Sequence, residues 1–109
     1  NYPALEGDPY HALAQKYLPK GCSGVISFSL KGGRDAGARF IDSLKMVSLQ
    51  VHVADIRTCV LHPASSTHRQ LSDEQLTEAG ITPGMVRLSV GLENIDDLLE
   101  DLSQALAQA

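Results

Sequence analysis

The sequence predicts an α+β fold: one two-layer domain in which a four-stranded sheet carries helices on one face. Three observations lead there. Apolar and polar residues alternate in several short runs, the period of half-buried strands. Other runs repeat their apolar residues at helical spacing, and turn or capping residues separate the two kinds. A chain of 109 residues fits a single compact domain.

Each element has a local cause. Asp8-Pro9 opens a first helix, because Asp caps free amides and Pro is tolerated in a first turn; the helix runs from about Pro9 to Tyr17 and stops near Pro19. Lys20–Gly24 is a loop. In Val25–Lys31, Ile26, Phe28 and Leu30 alternate with Ser27, Ser29 and Lys31, which makes a strand that ends at Gly32-Gly33. Arg34–Lys45 places Ala36, Phe40, Ile41 and Leu44 on one helical stripe. Val47, Leu49, Val51 and Val53 alternate with Ser48, Gln50 and His52 as a second strand. Thr58–Leu61 is a short third one, closed by His62-Pro63. Ser72 and Gln75 have capping-box spacing, so a short helix begins there and ends at Gly80. Val86, Leu88 and Val90 alternate with Arg87 and Ser89 in the fourth strand. Asn94 caps a last helix whose first turns hold Asp96, Asp97, Glu100 and Asp101, as the helix dipole favours. Ile95, Leu98, Leu99, Leu102 and Leu106 form its buried stripe. Ser27, Ser29, Arg87 and Ser89 leave one sheet face polar, to meet water or a partner domain.

Composition narrows the function. With 43% hydrophobic and 20% charged residues the chain is an ordinary globular one. A net charge of -4 with scattered basic residues argues against a nucleic-acid groove. No run approaches the roughly 18 apolar residues of a membrane span. Cys22 and Cys59 make no disulfide framework, which points to a reducing, cytoplasmic setting, and Cys59 in its apolar run reads as a small core hydrophobe. Asn1-Tyr2-Pro3-Ala4 lacks an initiator Met and reads as mid-sequence, the start of a segment of a longer chain.

Gly32-Gly33 lacks both the lysine of a phosphate-cradling loop and the spacing of a dinucleotide fingerprint. Cys59, His62 and His68 match no structural zinc spacing, so no metal is expected. His62, next to Pro63, reads as structural; His52, on the polar side of its strand, is open between surface and site. Arg87 stands out. It lies mid-strand between apolar neighbours, where an unpaired charge is costly. Either an internal acid such as Glu93 or Asp55 satisfies it, or its guanidinium fork receives a ligand carboxylate through two parallel hydrogen bonds.

Longer motifs add a resemblance. His62-Pro63-Ala64-Ser65-Ser66-Thr67-His68, Gly80-Ile81-Thr82-Pro83 and Val86-Arg87-Leu88-Ser89-Val90-Gly91-Leu92-Glu93 closely resemble the end of the Cys/Met-metabolism enzymes that use pyridoxal phosphate. Tyr2-Pro3-Ala4-Leu5, His11, Tyr17-Leu18-Pro19-Lys20-Gly21 and Lys31-Gly32-Gly33 are similar to the O-acetylhomoserine sulfhydrylase branch. The likeness covers essentially the whole chain, in order; cystathionine gamma-synthases and lyases and methionine gamma-lyases share the same ending.

The resemblance implies that residues 1–109 form the small C-terminal domain of a fold-type I, aspartate-aminotransferase-like enzyme. The large domain of the same chain would hold most of the pyridoxal 5'-phosphate site and the Schiff-base lysine, in a parent expected to be a homotetramer. No catalytic residue is then expected here, because none of Lys16, Lys20, Lys31 and Lys45 resembles the cofactor lysine. By position, Arg87 matches the arginine that holds the amino-acid substrate's carboxylate, and His52, Val53 and Thr67 join it in that pocket. His52 stands where sulfhydrylases usually show Asn, and Ala54 where Gly is usual. The implied reaction joins O-acetyl-L-homoserine to sulfide or a thiol, giving homocysteine or methionine and acetate. A stand-alone, non-catalytic α+β binding module is the alternative of another class.

Overall fold

The computed structural model describes residues 1–109. Its helices are α1 (His11–Tyr17), α2 (Gly33–Ser43), α3 (Asp73–Glu78) and α4 (Ile95–Leu106). The strands are β1 (Val25–Ser29), β2 (Ser48–Leu49), β3 (Cys59–Leu61) and β4 (Met85–Ser89), joined in one sheet of order β1-β4-β3-β2. β4 pairs antiparallel with β1 and β3, while the short β2 lies parallel to β3. The expected α+β architecture is present, and no helix is long and apolar enough to cross a membrane.

Alternation along β4 divides the domain. Val86 and Leu88 point to the helical side, where they join Phe40 and Ile41 of α2, Leu98 and Ala105 of α4, Val60 and Val47 in the core. Phe28 meets Phe40 edge to face, with ring centroids 5.8 Å apart. Full burial of a side chain such as Phe40 contributes about 1.5–3 kcal/mol. His62 is wholly buried beside this core, its ring nitrogens engaged by Ser65 Oγ and Pro83 O at 2.8 Å each. Helix α2 passes so close that a Cβ on Gly37 would lie 2.3 Å from His62 Nε2.

Two predicted caps are in place. Ser72 and Gln75 make the reciprocal capping box, and Asn94 Oδ1 accepts from the Asp96 and Asp97 amides. Asp8 behaves otherwise. Its carboxylate accepts from the Tyr2 and Tyr10 amides, forming a turn that delays α1 to His11. The buried side of α4 is also rotated from the expected stripe. Leu98, Asp101 and Ala105 are buried, whereas Ile95, Leu99 and Leu106 are exposed.

Asp101 explains the rotation. Its carboxylate accepts the Lys45, Met46 and Val47 amides at 2.9, 2.9 and 3.0 Å, and Gln104 Nε2 at 3.0 Å. An acid with that task must face inward. The same contacts end α2 at Ser43 and turn the chain into β2, two residues before the expected end at Lys45.

The predicted strand over Val47–Val53 survives only as Ser48–Leu49. β3, its partner, is three residues long, and the pairing ends where Gln50 N donates to Val60 O. Gln50–Thr58 is a loop, with Val51 and Val53 exposed rather than alternating into a core. Ala54 in this loop has φ 59°, the one residue other than glycine in the left-handed region.

Two predictions concern these anchors. Burial would raise the Asp101 pKa, but the bonds from Lys45, Val47, Met46 and Gln104 outweigh it and hold the carboxyl below its ordinary value. The folded pKa thus lies below the unfolded one, so this stabilisation is present above about pH 4 and is lost as pH falls through the folded value. Asp101→Ala should cost about 3 kcal/mol at pH 7, read by urea unfolding, with the difference from wild type shrinking towards pH 2. A pH-independent cost would refute the ionised-acceptor account. Ala54→Gly should stabilise by about 0.5–1 kcal/mol, against the usual sign for that change, because it removes the Cβ clash of a left-handed residue; a lower melting temperature would count against it.

Candidate functional site

The sheet face opposite the helices carries Ser27, Arg87 and Ser89, with Ser27 opposite Arg87 and Cys59 opposite Ser89. It was expected to be polar and to meet water or a partner domain; near β4 a loop of the same chain covers part of it. Loop Gln50–Thr58 crosses it, and Ser89, at 3% exposure, is covered. Arg87 Nη2 donates to Val51 O at 2.8 Å, and Ala54 N donates to Ser89 Oγ at 3.1 Å. Alternate residues of one strand thus grip the loop at two points. Between the grips, neither the His52 nor the Val53 amide is taken by a backbone carbonyl.

Further bonds fasten the end of the loop. Glu93 accepts from Thr58 N at 2.6 Å and Thr58 Oγ1 at 2.8 Å, Gly91 N donates to the same hydroxyl, and Leu92 N donates to Ile56 O. Burial disfavours the Glu93 ion, but the Thr58 bonds prevail and keep its pKa low. Gly91 is required here, since a Cβ would lie 2.4 Å from Ile56 O. Asp55 pairs with Arg57 at 3.2 Å, and the hydrogen bond from the Arg57 guanidinium, with one from its amide, lowers the Asp55 pKa to about 2.

These contacts bear on the two readings of Arg87. Both acids proposed as internal partners are committed elsewhere, Glu93 to Thr58 and Asp55 to Arg57. The ion pairs of the chain are Arg57–Asp55 and Arg34–Asp73, and neither includes Arg87. Arg87 Nε is buried without any hydrogen-bond partner. Leaving a buried donor unmade costs about 1–3 kcal/mol, more for a charged group, so the chain's own groups leave this guanidinium incompletely satisfied.

The other expected residues divide. His52 and Val53 lie in the gripped loop directly after Val51, whose carbonyl Arg87 holds, and both are exposed. Thr67 is exposed, and its hydroxyl bonds His68 Nδ1; no hydrogen bond links it to the Arg87 group. Sequence reasoning gave Thr58 no site role, took Glu93 only as a possible partner for Arg87, and read Ser89 only as part of the polar sheet face. For Ser89 a signal existed: a small hydroxyl two positions after the arginine singled out in this strand shares its face.

None of the four surface cavities is lined by Arg87. The largest, about 450 Å³, lies between the first residues and α1, where Pro3 O and Gln15 already engage the two His11 nitrogens. Arg87 lies instead on the sheet face beneath loop Gln50–Thr58. Nor do these residues fit pyridoxal phosphate by themselves: all four lysines are exposed, and the one that lines a cavity, Lys45, does so among Asp97, Glu100 and Asp101, which would repel a phosphate.

Comparison with known proteins gives a consistent result. The family model for the Cys/Met metabolism PLP-dependent enzymes matches residues 1–107. O-acetyl-L-homoserine sulfhydrylase 1 of Thermus thermophilus is 51% identical over 107 residues, covering 98% of this chain and 25% of that protein. An L-methionine gamma-lyase of Fusobacterium nucleatum is 49% identical over 105 residues, covering 96% of this chain and 26% of the relative. A Campylobacter jejuni structure described as an O-acetylhomoserine (thiol)-lyase, with N'-pyridoxyl-lysine-5'-monophosphate, superposes with a TM-score of 0.85 at 44% identity, over 98% of this chain and 25% of that one. The chain therefore spans about a quarter of the length of the relatives it matches. Matched along almost its whole length, it belongs to the family of Cys/Met metabolism PLP-dependent enzymes.

Proposed function

We propose that residues 1–109 are the C-terminal substrate-binding domain of an O-acetylhomoserine sulfhydrylase, which makes homocysteine or methionine from O-acetyl-L-homoserine and sulfide or a thiol. The single observation that carries the site is Arg87, a guanidinium with a buried, unpaired Nε and no acid of the chain beside it. The 51% identity to a sulfhydrylase supports the branch. The 49% identity to a methionine gamma-lyase supports a second reading within the same family, separated by asking whether acetate release requires the thiol.

In this reading the substrate α-carboxylate seats on the guanidinium, and the His52 and Val53 amides are the neighbouring donors. Thr67 belongs to the same pocket by position in the family. Val51 O holds Nη2 and so orients the fork, which fixes the substrate relative to the reacting centre. The cofactor, when bound, supplies the electron sink for chemistry at Cα and Cβ, and the protein supplies orientation.

The remainder of the parent chain would bring the pyridoxal phosphate site, the lysine and the second wall of the pocket, in a homotetrameric cytoplasmic enzyme. Exposed Leu13 and Tyr17 on α1, which buries only Ala14, and Tyr10 just before it support a large domain docked there. The free thiols of Cys22 and Cys59 suit a reducing compartment.

Two outcomes test this. Residues 1–109 mixed with pyridoxal phosphate should yield no stoichiometric lysine adduct after borohydride reduction and no product; one modified lysine with turnover would overturn the division of labour. In the full-length protein, Arg87→Ala should lower kcat/KM for O-acetyl-L-homoserine by roughly two to four decades, the loss of two charge-assisted bonds of about 1.5–3 kcal/mol with incomplete additivity. Arg87→Lys should restore only part, since an ammonium lacks the planar fork. Near-normal kcat/KM in Arg87→Ala, with a melting temperature several degrees lower, would assign Arg87 a structural role instead.

A further inference from the structure

We infer that Ser89 is a positioning residue for substrate-carboxylate binding: its buried hydroxyl clamps loop Gln50–Thr58 at Ala54 and thereby sets the donors that surround Arg87. This rests on the carboxylate reading of Arg87 above. Ser89 is two residues beyond Arg87 on β4, hence on the same face. Its hydroxyl accepts the Ala54 amide at 3.1 Å, and Ala54 is the loop's left-handed residue. Val51 O, on the other side of His52 and Val53, accepts from Arg87 Nη2 at 2.8 Å. The two ties bracket the two amides that no backbone carbonyl takes.

The backbone at Ala54 makes the clamp necessary. An alanine resists positive φ, so without a tie the loop relaxes towards ordinary backbone angles. Relaxation would swing the His52 and Val53 amides and release Val51 O from the guanidinium. Ser89 is too deeply covered, at 3% exposure, to reach a ligand itself. Its role is to hold the loop, and the Asp55–Arg57 pair and the Glu93–Thr58 bonds hold only the loop's later half.

The test uses the full-length holoenzyme with O-acetyl-L-homoserine and sulfide. Ser89→Ala should raise KM for the amino acid about tenfold, the worth of about one hydrogen bond. Both kcat and KM for sulfide should stay within about twofold, and the cofactor absorption band should not move. In the Ala54→Gly background, where left-handed backbone is unstrained, the same Ser89→Ala change should raise KM by less than about threefold. Arg87→Ala serves as the reference. If it leaves KM and kcat unchanged, the carboxylate reading and the clamp both fall. If Arg87→Ala impairs the enzyme while Ser89→Ala leaves KM for the amino acid unaltered, the clamp alone falls. An equal KM effect of Ser89→Ala with alanine or glycine at position 54 likewise overturns it.

Discussion

A geometric constraint shapes the site: β2 and β3 are parallel neighbours joined by a connection too short for a helix. A parallel pair needs a crossover, generally of about a dozen residues or more. Gln50–Thr58 is shorter, so it crosses the bare face of the sheet as a loop. A loop laid on a sheet must find partners for its backbone groups without a ladder to join. β4 and the turn after it supply them from Arg87, Ser89, Leu92 and Glu93. The positive charge of Arg87 is thus held in the surface that carries the loop.

β4 serves both layers because its side chains alternate. Val86 and Leu88 lie at 0% and 4% exposure in the core, which fixes the strand's rotation. Arg87 and Ser89 are then bound to face the loop, since a slip of one residue would reverse every side chain. The acids around the loop are equally constrained. Asp55 is closed by Arg57 and Glu93 by Thr58, so neither neutralises Arg87, although the chain carries net negative charge. Keeping a cation unpaired in an acidic domain is a matter of giving every nearby acid a better partner.

Much of the fold was legible because its signals are local. The Ser72–Gln75 box and the Asn94 cap depend on groups a few residues apart, and alternation in β1 and β4 reflects one face buried against helices. The failures all involve a distant partner. Val47–Val53 alternates like a strand, but its length is set by β3 and by Pro63 beyond it. The leucine stripe of α4 was displaced because Asp101 must reach amides some 55 residues away in sequence. Arg87 was legible as an oddity, a charge in an apolar strand, but only tertiary contacts show that Glu93 and Asp55 are occupied. The resemblance implied His52 and Val53 as neighbours of Arg87; they lie in the loop between its two ties to β4, at Val51 and Ala54. Ala54 is instructive: glycine is the usual residue there, and its φ of 59° supplies the physical reason.

The openness of the site bears on how Arg87 would work. Two unit charges 4 Å apart interact by only about 1 kcal/mol in bulk water, and by about 4 kcal/mol at an effective dielectric of about 20. On an open sheet face, a carboxylate would gain little over its hydration. The gain would grow once a second surface excluded water, and Val51 and Val53, at 58% and 54% exposure, offer apolar area in the loop over Arg87 suited to meet such a surface. On the proposed reading the donors are preorganised in this domain, whereas the dielectric that would give them strength would come from what covers the loop. Orientation and affinity are in that sense separable: the first is built into β4 and its loop, and the second is conferred by enclosure.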